Sequence, residues 1–376
     1  MSLAQTPTQA YLAGAARGEW QSDPAQLEVL RVLDRIQHDL QTAPEPSGGL
    51  FSRFFKREAP APVRGLYVWG GVGRGKTFMV DLFYDTVATP KKKRTHFHRF
   101  MREVHAQLKA HAGESDPLAK IAESWRDSVR LLVLDEFIVT DIGDAMLLGR
   151  LLDQLFAQGV TLVTTSNTPP VNLYKDGLQR AGFLPAIALI EEHCEVVEIK
   201  SSTDYRLRAL TQSPVYRAPL DAASDAWLAT RWHELGGDDK HRDAGLQIDG
   251  RRIPVRARVP GMVWLDFAAL CDGPRGTTDY IEIAQEFHTV FCGGIPRFDG
   301  NNDDPARRFI NAIDEFYDRS VNFVCTADAP PEVLYQGTRM AAVFERTSSR
   351  LIEMQSSEYL SSEHAACSES TGVPNE

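Results

Sequence analysis

The sequence predicts an α/β protein with a three-layer αβα core around a parallel sheet, and three observations carry that reading. From residue 65 onward, short apolar runs alternate with helical stretches. The first run breaks into Gly70-Gly71-Val72-Gly73-Arg74-Gly75-Lys76-Thr77 and resumes as a helix. A later run, Leu131 to Leu134, ends in two acids, Asp135 and Glu136. Alternating strand and helix, with connections short enough for right-handed crossovers, is the pattern of parallel sheets.

Each element follows from its own residues. Residues 7 to 41 read as helical, with Leu27, Leu30, Leu33, Ile36 and Leu40 spaced by three and four. The stretch TAPEPSGGLFSRFFKREAPAPVRG then reads as a linker, and residues 1–64 form a helical N-terminal segment. Within the linker, LFSRFFK pairs aromatic with basic residues, so it either packs on its own core or makes a peripheral membrane or partner contact. Strands are expected at 66–69, 94–98, 130–135, 160–165 and 195–199, and helices at 76–86, 100–111, 117–125, 143–157 and 184–193. Together they form a core over 65–211.

Beyond it, 212–356 reads as a C-terminal α/β part. An Asp249-Gly250 pair between alternating segments predicts a β-hairpin. Helices at 279–287 and 305–317 and a strand at 321–326 follow, with a disordered tail over 357–376. There is one internal echo. Residues 148–174 align without gaps to 309–335 with eight identities in 27 positions. Both spell helix, strand and a Pro-Pro turn; convergence on one supersecondary unit and repetition both fit.

Composition narrows the class. Among 376 residues, hydrophobic content is 43% and charged content 24%, as in globular proteins. No apolar run approaches the length of a membrane span, and the N-terminus lacks the features of a signal peptide or presequence. Five scattered cysteines without metal-ligand spacing fit a reducing compartment, so the expected location is cytoplasmic. A net charge of -10 weighs against a nucleic-acid binder, although PKKKRTHFHRF leaves a local basic patch, read mainly as a solvated loop.

The chemistry begins at the glycine-rich turn, which fits G-x-x-x-x-G-K-[ST] between strand and helix and marks a P-loop NTPase. Its backbone N–H groups, from Gly70 through Gly75 to Lys76, Thr77 and Phe78, would converge on the phosphates of ATP, aided by the helix N-terminus. Lys76 would reach the β- and γ-phosphates, and Thr77 would ligate Mg2+. Asp135 would hold Mg2+ through water and Glu136 would polarise the attacking water. Two adjacent acids favour a hydrolase of the additional-strand P-loop type over a GTPase, and no Asn-Lys-x-Asp guanine motif occurs. Asn167, closing a strand beside that of Asp135, occupies the sensor position of AAA+ ATPases. Arginines would neutralise transition-state charge. Arg180 is the candidate finger toward a neighbouring subunit; Arg346 and Arg350, opening a C-terminal helix, are candidate cis sensors, and Arg206 could line the site. His96 and His98, on one face of a strand, read as structural.

These segments, with THFHRFMREVH, TDYRLRALT, GTTDYIEIAQEFHTVF and FERTSSRLIEMQSSEYL, run over most of the chain. They resemble the AFG-type ATPase family, with bacterial and mitochondrial branches. The resemblance implies an AAA+-like ATPase that assembles as an ATP-dependent homo-oligomer and acts on a protein partner. In the bacterial branch that partner is the division apparatus and its FtsZ ring; the mitochondrial branch is linked to quality control of respiratory-chain proteins. Residues 215–245 match least. Competing readings are a nucleic-acid-associated ATPase such as a helicase loader, supported by residues 91–94 and by Arg251, Arg252, Arg256 and Arg258, and a small-molecule kinase.

Overall fold

The computed structural model describes residues 5–43, 61–71, 73–126, 128–200, 210–211, 213–237, 245–248, 250–259, 261–362 and 364. The chain divides into two compact units, Met1–Asp204 and Tyr205–Glu376. In the first, helices α1 (Pro7–Ala16) and α2 (Pro24–Thr42) precede strand β1 (Gly65–Trp69) and helix α3 (Lys76–Thr86). Then come β2 (Lys92–His96), α4 (Phe97–Ala110), α5 (Pro117–Arg126), β3 (Leu131–Asp135), α6 (Ile142–Ala157), β4 (Thr161–Ser166), α7 (Arg180–His193) and β5 (Cys194–Glu198). All five strands are parallel, in the order β2-β3-β4-β1-β5.

Strand alternation builds the three layers. Leu66, Val68, Leu131, Val133 and Val163 face α1, α2 and α3, whereas Tyr67, Leu132, Leu134 and Leu162 face α4 to α7. The N-terminal segment is therefore part of the first unit. Its Val29, Leu30, Leu33 and Ile36 are fully buried in the layer that covers the sheet. The stretch expected as one helix is two, because Asp23 caps a new start by accepting from the Ala25 N–H at 2.9 Å, with Pro24 at the first position.

In the second unit, β6 (Tyr216–Arg217), α8 (Ser224–Glu234), β7 (Leu246–Ile248), β8 (Arg251–Ile253), β9 (Ala257–Val259) and β10 (Met262–Asp266) come first. They are followed by α9 (Thr277–Glu286), β11 (Thr289–Ile295), α10 (Asp303–Asp318), β12 (Asn322–Ala327), α11 (Ala341–Glu353) and α12 (Ser357–Leu360). Its sheet runs β6-β12-β11-β10-β9, parallel except for β9. The hairpin is present as β7–β8, with Ile248 opposite Arg251, although Asp249 itself lies outside the described residues.

Four expectations need correction. Strand β2 ends at His96, so His98 sits on α4; Phe97, Phe100, Met101 and Val104 at helical spacing outweigh the alternation. The basic patch is this strand rather than a loop. Arg346 and Arg350 lie well inside α11, which starts at Ala341. Residues 357–360 are helical, with Tyr359 buried, so the expected tail boundary falls inside packed structure. The linker LFSRFFK, Arg206 and residues 365–376 lie outside the described residues.

The echo extends further than the sequence alone indicated. Helix α6 and helix α10, strands β4 and β12, and the single 3-10 turns Pro170–Asn172 and Pro331–Val333 keep one constant offset, 161 positions. Helices α7 and α11 also start 161 residues apart. Spatial order agrees as well, since β2-β3-β4-β1 matches β10-β11-β12-β6.

Candidate active site

Strands β1, β4 and β3 are neighbours, and their carboxyl ends carry the glycine-rich loop, Asn167 and the two acids. That edge of an open parallel sheet is where ligands bind. The loop is fixed at its start by the Gly70 N–H, which donates to the Ser166 carbonyl at 3.3 Å. At its end Gly75 has φ of 83°, and a Cβ there would come within 2.4 Å of Gln26 Nε2. Val72 lies outside the described residues. Lys76 opens α3 and folds back across the loop, donating from Nζ to the carbonyls of Gly70 at 2.6 Å and Gly71 at 2.7 Å. The Thr77 hydroxyl meets no hydrogen-bond partner among the described residues. The Phe78 side chain packs edge-on against Trp20, 4.8 Å between centroids.

A support beneath the loop was not anticipated. Gln26, on the buried stripe of α2, donates from Nε2 to the Arg74 carbonyl at 3.1 Å and accepts from the Tyr11 hydroxyl at 2.8 Å. The sequence signal is a polar residue in register with Leu30, Leu33 and Leu40, where an apolar one is expected.

The acidic end is charged, and its Asp135 is buried. Asp135 is 2% exposed, and Arg94 of β2 grips both its oxygens, Nε to Oδ2 at 2.7 Å and Nη2 to Oδ1 at 3.2 Å. Arg94 also pairs with Asp81 of α3. Burial pushes Asp81 up to about 6; Arg94 opposes the shift and the Asp135 charge adds to it. Glu136 sits in the left-handed region with φ of 53°, its N–H held by Thr165 Oγ1 at 3.0 Å. The Phe137 N–H is held by the Thr165 carbonyl at 2.7 Å, and Ser166 Oγ donates to the Phe137 carbonyl at 2.8 Å. His96 Nδ1 stands 3.9 Å from Glu136 Oε2, too far for a hydrogen bond, and is buried without a partner. His98 is held neutral, its pKa lowered to about 3 by burial and then by the charge of His96.

The four core residues Lys76, Asp135, Glu136 and Asn167 therefore share one sheet edge, with Asn167 exposed. The arginines are engaged elsewhere. Arg180 donates to the Val171 carbonyl at 2.6 Å. Arg350 pairs with Asp314 at 2.6 Å and Asp318 at 3.3 Å and stacks on Tyr317, all in the second unit. Arg346 shares Asp314. Hard oxygen donors from Thr77 and Asp135 suit a divalent cation such as Mg2+. Since Arg94 already occupies both Asp135 oxygens, water-mediated ligation fits better than direct contact.

A family model described as AFG1-like ATPase matches residues 5–363. The chain belongs to the AFG1-like ATPases. It is 44% identical over 370 residues, 96% of this chain and 99% of the relative, to the cell division protein ZapE of Escherichia coli strain K12. It is 34% identical over 346 residues, 80% of this chain and 69% of the relative, to lactation elevated protein 1 homolog B of Danio rerio. Among solved structures, DnaI is similar at 17% identity and TM-score 0.35, covering 49% of this chain and 87% of that one. AMPPCP-bound DnaA from Aquifex aeolicus is similar at 15% identity and TM-score 0.35, covering 62% and 63%. An AFG1-like ATPase turns over ATP, and the first unit supplies the loop and strand ends that such chemistry needs. Among the described residues no helix is long and apolar enough to cross a membrane.

Two outcomes follow for this unit. Gln26→Ala leaves the Arg74 carbonyl and Tyr11 hydroxyl without their buried partner, and weakens ATP affinity by about tenfold. Titration with a fluorescent ATP analogue checks this; an unchanged Kd with only a lower melting temperature would reduce Gln26 to a packing residue. Asp81 binds its proton more tightly folded than unfolded, so its contribution to stability is complete below about pH 4 and is lost as pH rises through 6. Melting curves of Asp81→Asn should lack the fall that the native protein shows across this window relative to it.

Proposed function

We propose that the first unit hydrolyses ATP in a Mg2+-dependent reaction, and that turnover drives a protein assembly of bacterial cell division, with the FtsZ ring as the partner and the cytoplasm as the location. The observation that carries the catalytic half is the convergence of Lys76, Asp135, Glu136 and Asn167 at the ends of three adjacent strands. Bound phosphates would draw Lys76 away from the Gly70 and Gly71 carbonyls, exchanging two neutral acceptors for charged ones. Thr77 and Asp135 would hold the cation, which offsets phosphate charge when bound. Glu136, beside the sheet edge, takes a proton from the attacking water, and Asn167 orients that water or the γ-phosphate. Similarity to ZapE along nearly the whole chain supports the division role.

The nucleic-acid reading loses support from the side chains that suggested it. Lys92 donates to the Tyr84 and Val87 carbonyls, Lys93 pairs with Glu103 at 2.6 Å, and Arg94 is used by Asp81 and Asp135. Arg251 is paired with Asp279, and Arg256 with Asp225 and Asp266. In this reading Arg350 is structural, tying α11 to α10, whereas Arg180 serves as the finger toward a neighbouring copy in an ATP-dependent homo-oligomer.

Lys76→Ala should lose ATP binding, while Glu136→Gln should bind ATP and turn it over about 100-fold more slowly. Phosphate release and nucleotide titration separate the two, and full turnover by Glu136→Gln would remove the base assignment. Adding FtsZ polymers should raise the ATPase rate and adding DNA should not; stimulation by DNA alone would overturn the division role. Mixing inactive Arg180→Ala with inactive Lys76→Ala should restore turnover. Silence of the mixture would place Arg180 outside a trans role.

A further inference from the structure

The second unit repeats the strand order of the first but not its chemistry. The loop after β6, Ala218 to Ala223, has neither glycine nor lysine where β1 leads into the phosphate loop. By the register against β4 and β12, Gly293-Gly294 stand where β3 ends in Asp135-Glu136. What persists is packing and local bonding. Phe183 and Phe344 are both buried against a tyrosine ring, Tyr174 and Tyr335. Gly159 and Ser320 both turn the helix end through positive φ. The N–H groups of Val160 and Val321 bond the carbonyls of Leu155 and Phe316 at 3.1 and 2.9 Å.

The two sheets differ beyond their matching first strands. In the first unit the chain leaves α7 and at once forms β5, parallel to β1. In the second unit the matching residues, 355–359, form no strand. Ser356 caps α12, accepting from the Tyr359 N–H at 3.1 Å, and the Tyr359 hydroxyl bonds the carbonyls of Phe316 at 3.3 Å and Val321 at 3.1 Å. Leu360 is buried in the layer that also holds Trp232 and Phe291. The segment that could have made a strand outside β6 is thus drawn into the core.

Among the described residues the outer edge of β6 is consequently unpaired. Cys325 donates to the Val215 carbonyl at 2.8 Å, which in a parallel ladder turns the Tyr216 N–H and C=O away from β12. Among the described residues nothing bonds them. Beside this edge lies a groove of 520 Å³ lined by Tyr216, Ala218, Pro331, Glu332, Ile352 and Gln355. Ile352 is 46% exposed there, and Glu332 has no ion pair among the described residues.

We propose that this edge takes one extended segment of a partner protein as an added strand, in the position that β5 fills in the first unit. The occupant is a short peptide with an apolar residue over Ile352 and a basic residue within reach of Glu332. Backbone pairing to Tyr216 supplies affinity and the two side-chain contacts supply selectivity. The match between the two sheets decides for a strand, because the homologous place in this same chain is filled by one. The surface belongs to the second unit and stands whichever assembly the ATPase serves.

The probe is a fluorescein-labelled, acetylated hexapeptide of alternating valine and lysine, compared with its fully N-methylated twin on the full-length protein. Anisotropy should show saturable binding with Kd below about 1 mM for the first peptide and none for the twin. Ile352→Asp, at an exposed position, should weaken binding at least about tenfold with melting temperature and ATP turnover unchanged. Exchange of the Tyr216 amide should slow in the bound form. Equal binding of both peptides, no saturable binding, or binding unaffected by Ile352→Asp would overturn the proposal. Self-association abolished by Ile352→Asp, without peptide binding, would put a second copy on this edge and overturn it equally.

Discussion

The glycine-rich loop and the acidic segment of the first unit both hang from the last two residues of β4. Ser166 accepts from the Gly70 N–H and donates from its hydroxyl to the Phe137 carbonyl, while Thr165 holds the N–H groups of Glu136 and Phe137. One strand end thereby sets the start of the phosphate loop and the direction of the acids. The left-handed backbone at Glu136 depends on it, since a non-glycine residue at φ of 53° costs on the order of 1 kcal/mol and persists only where neighbours impose it. Because β4 lies between β1 and β3, Asn167, the next residue, stands between loop and acids.

The same constraint explains why the N-terminal helices belong to the catalytic unit. Strand β1 presents Leu66 and Val68 to α2 and α3, and the layer so formed carries Gln26 up to the Arg74 carbonyl. Glycine at position 75 is required by φ and by the approach of that amide. The phosphate loop is in this way braced by a helix residue 48 positions earlier in the chain. Arg94 plays the matching part on the other side, keeping the buried Asp135 charge paired and reaching α3 through Asp81.

The loop and acids were legible in the sequence because each is dictated locally. Glycines are required where φ is positive, and four apolar residues before two acids can only be a buried strand meeting solvent. Order between β1, β3 and β4 was partly legible, through the placing of Asn167 beside Asp135. Strand β2 was harder, since Lys92, Lys93 and Arg94 look like a solvated face until their partners Tyr84, Glu103 and Asp135 are seen. The support from Gln26 was hidden because its partner lies 48 residues away. The echo between 148–174 and 309–335 pointed to a repeat, but only the agreement of strand order separates repetition from a shared helix–strand–turn.

The central claim is that Thr165, at the end of β4, aims Glu136 for hydrolysis rather than serving ATP binding. Thr165→Val keeps the shape of a fully buried side chain and removes only the oxygen that holds the Glu136 N–H. Single-turnover hydrolysis and ATP titration on this variant test it most directly. The account predicts a hydrolysis rate lowered about tenfold to 100-fold with ATP Kd unchanged. An unchanged rate, or a loss confined to ATP affinity, would contradict it.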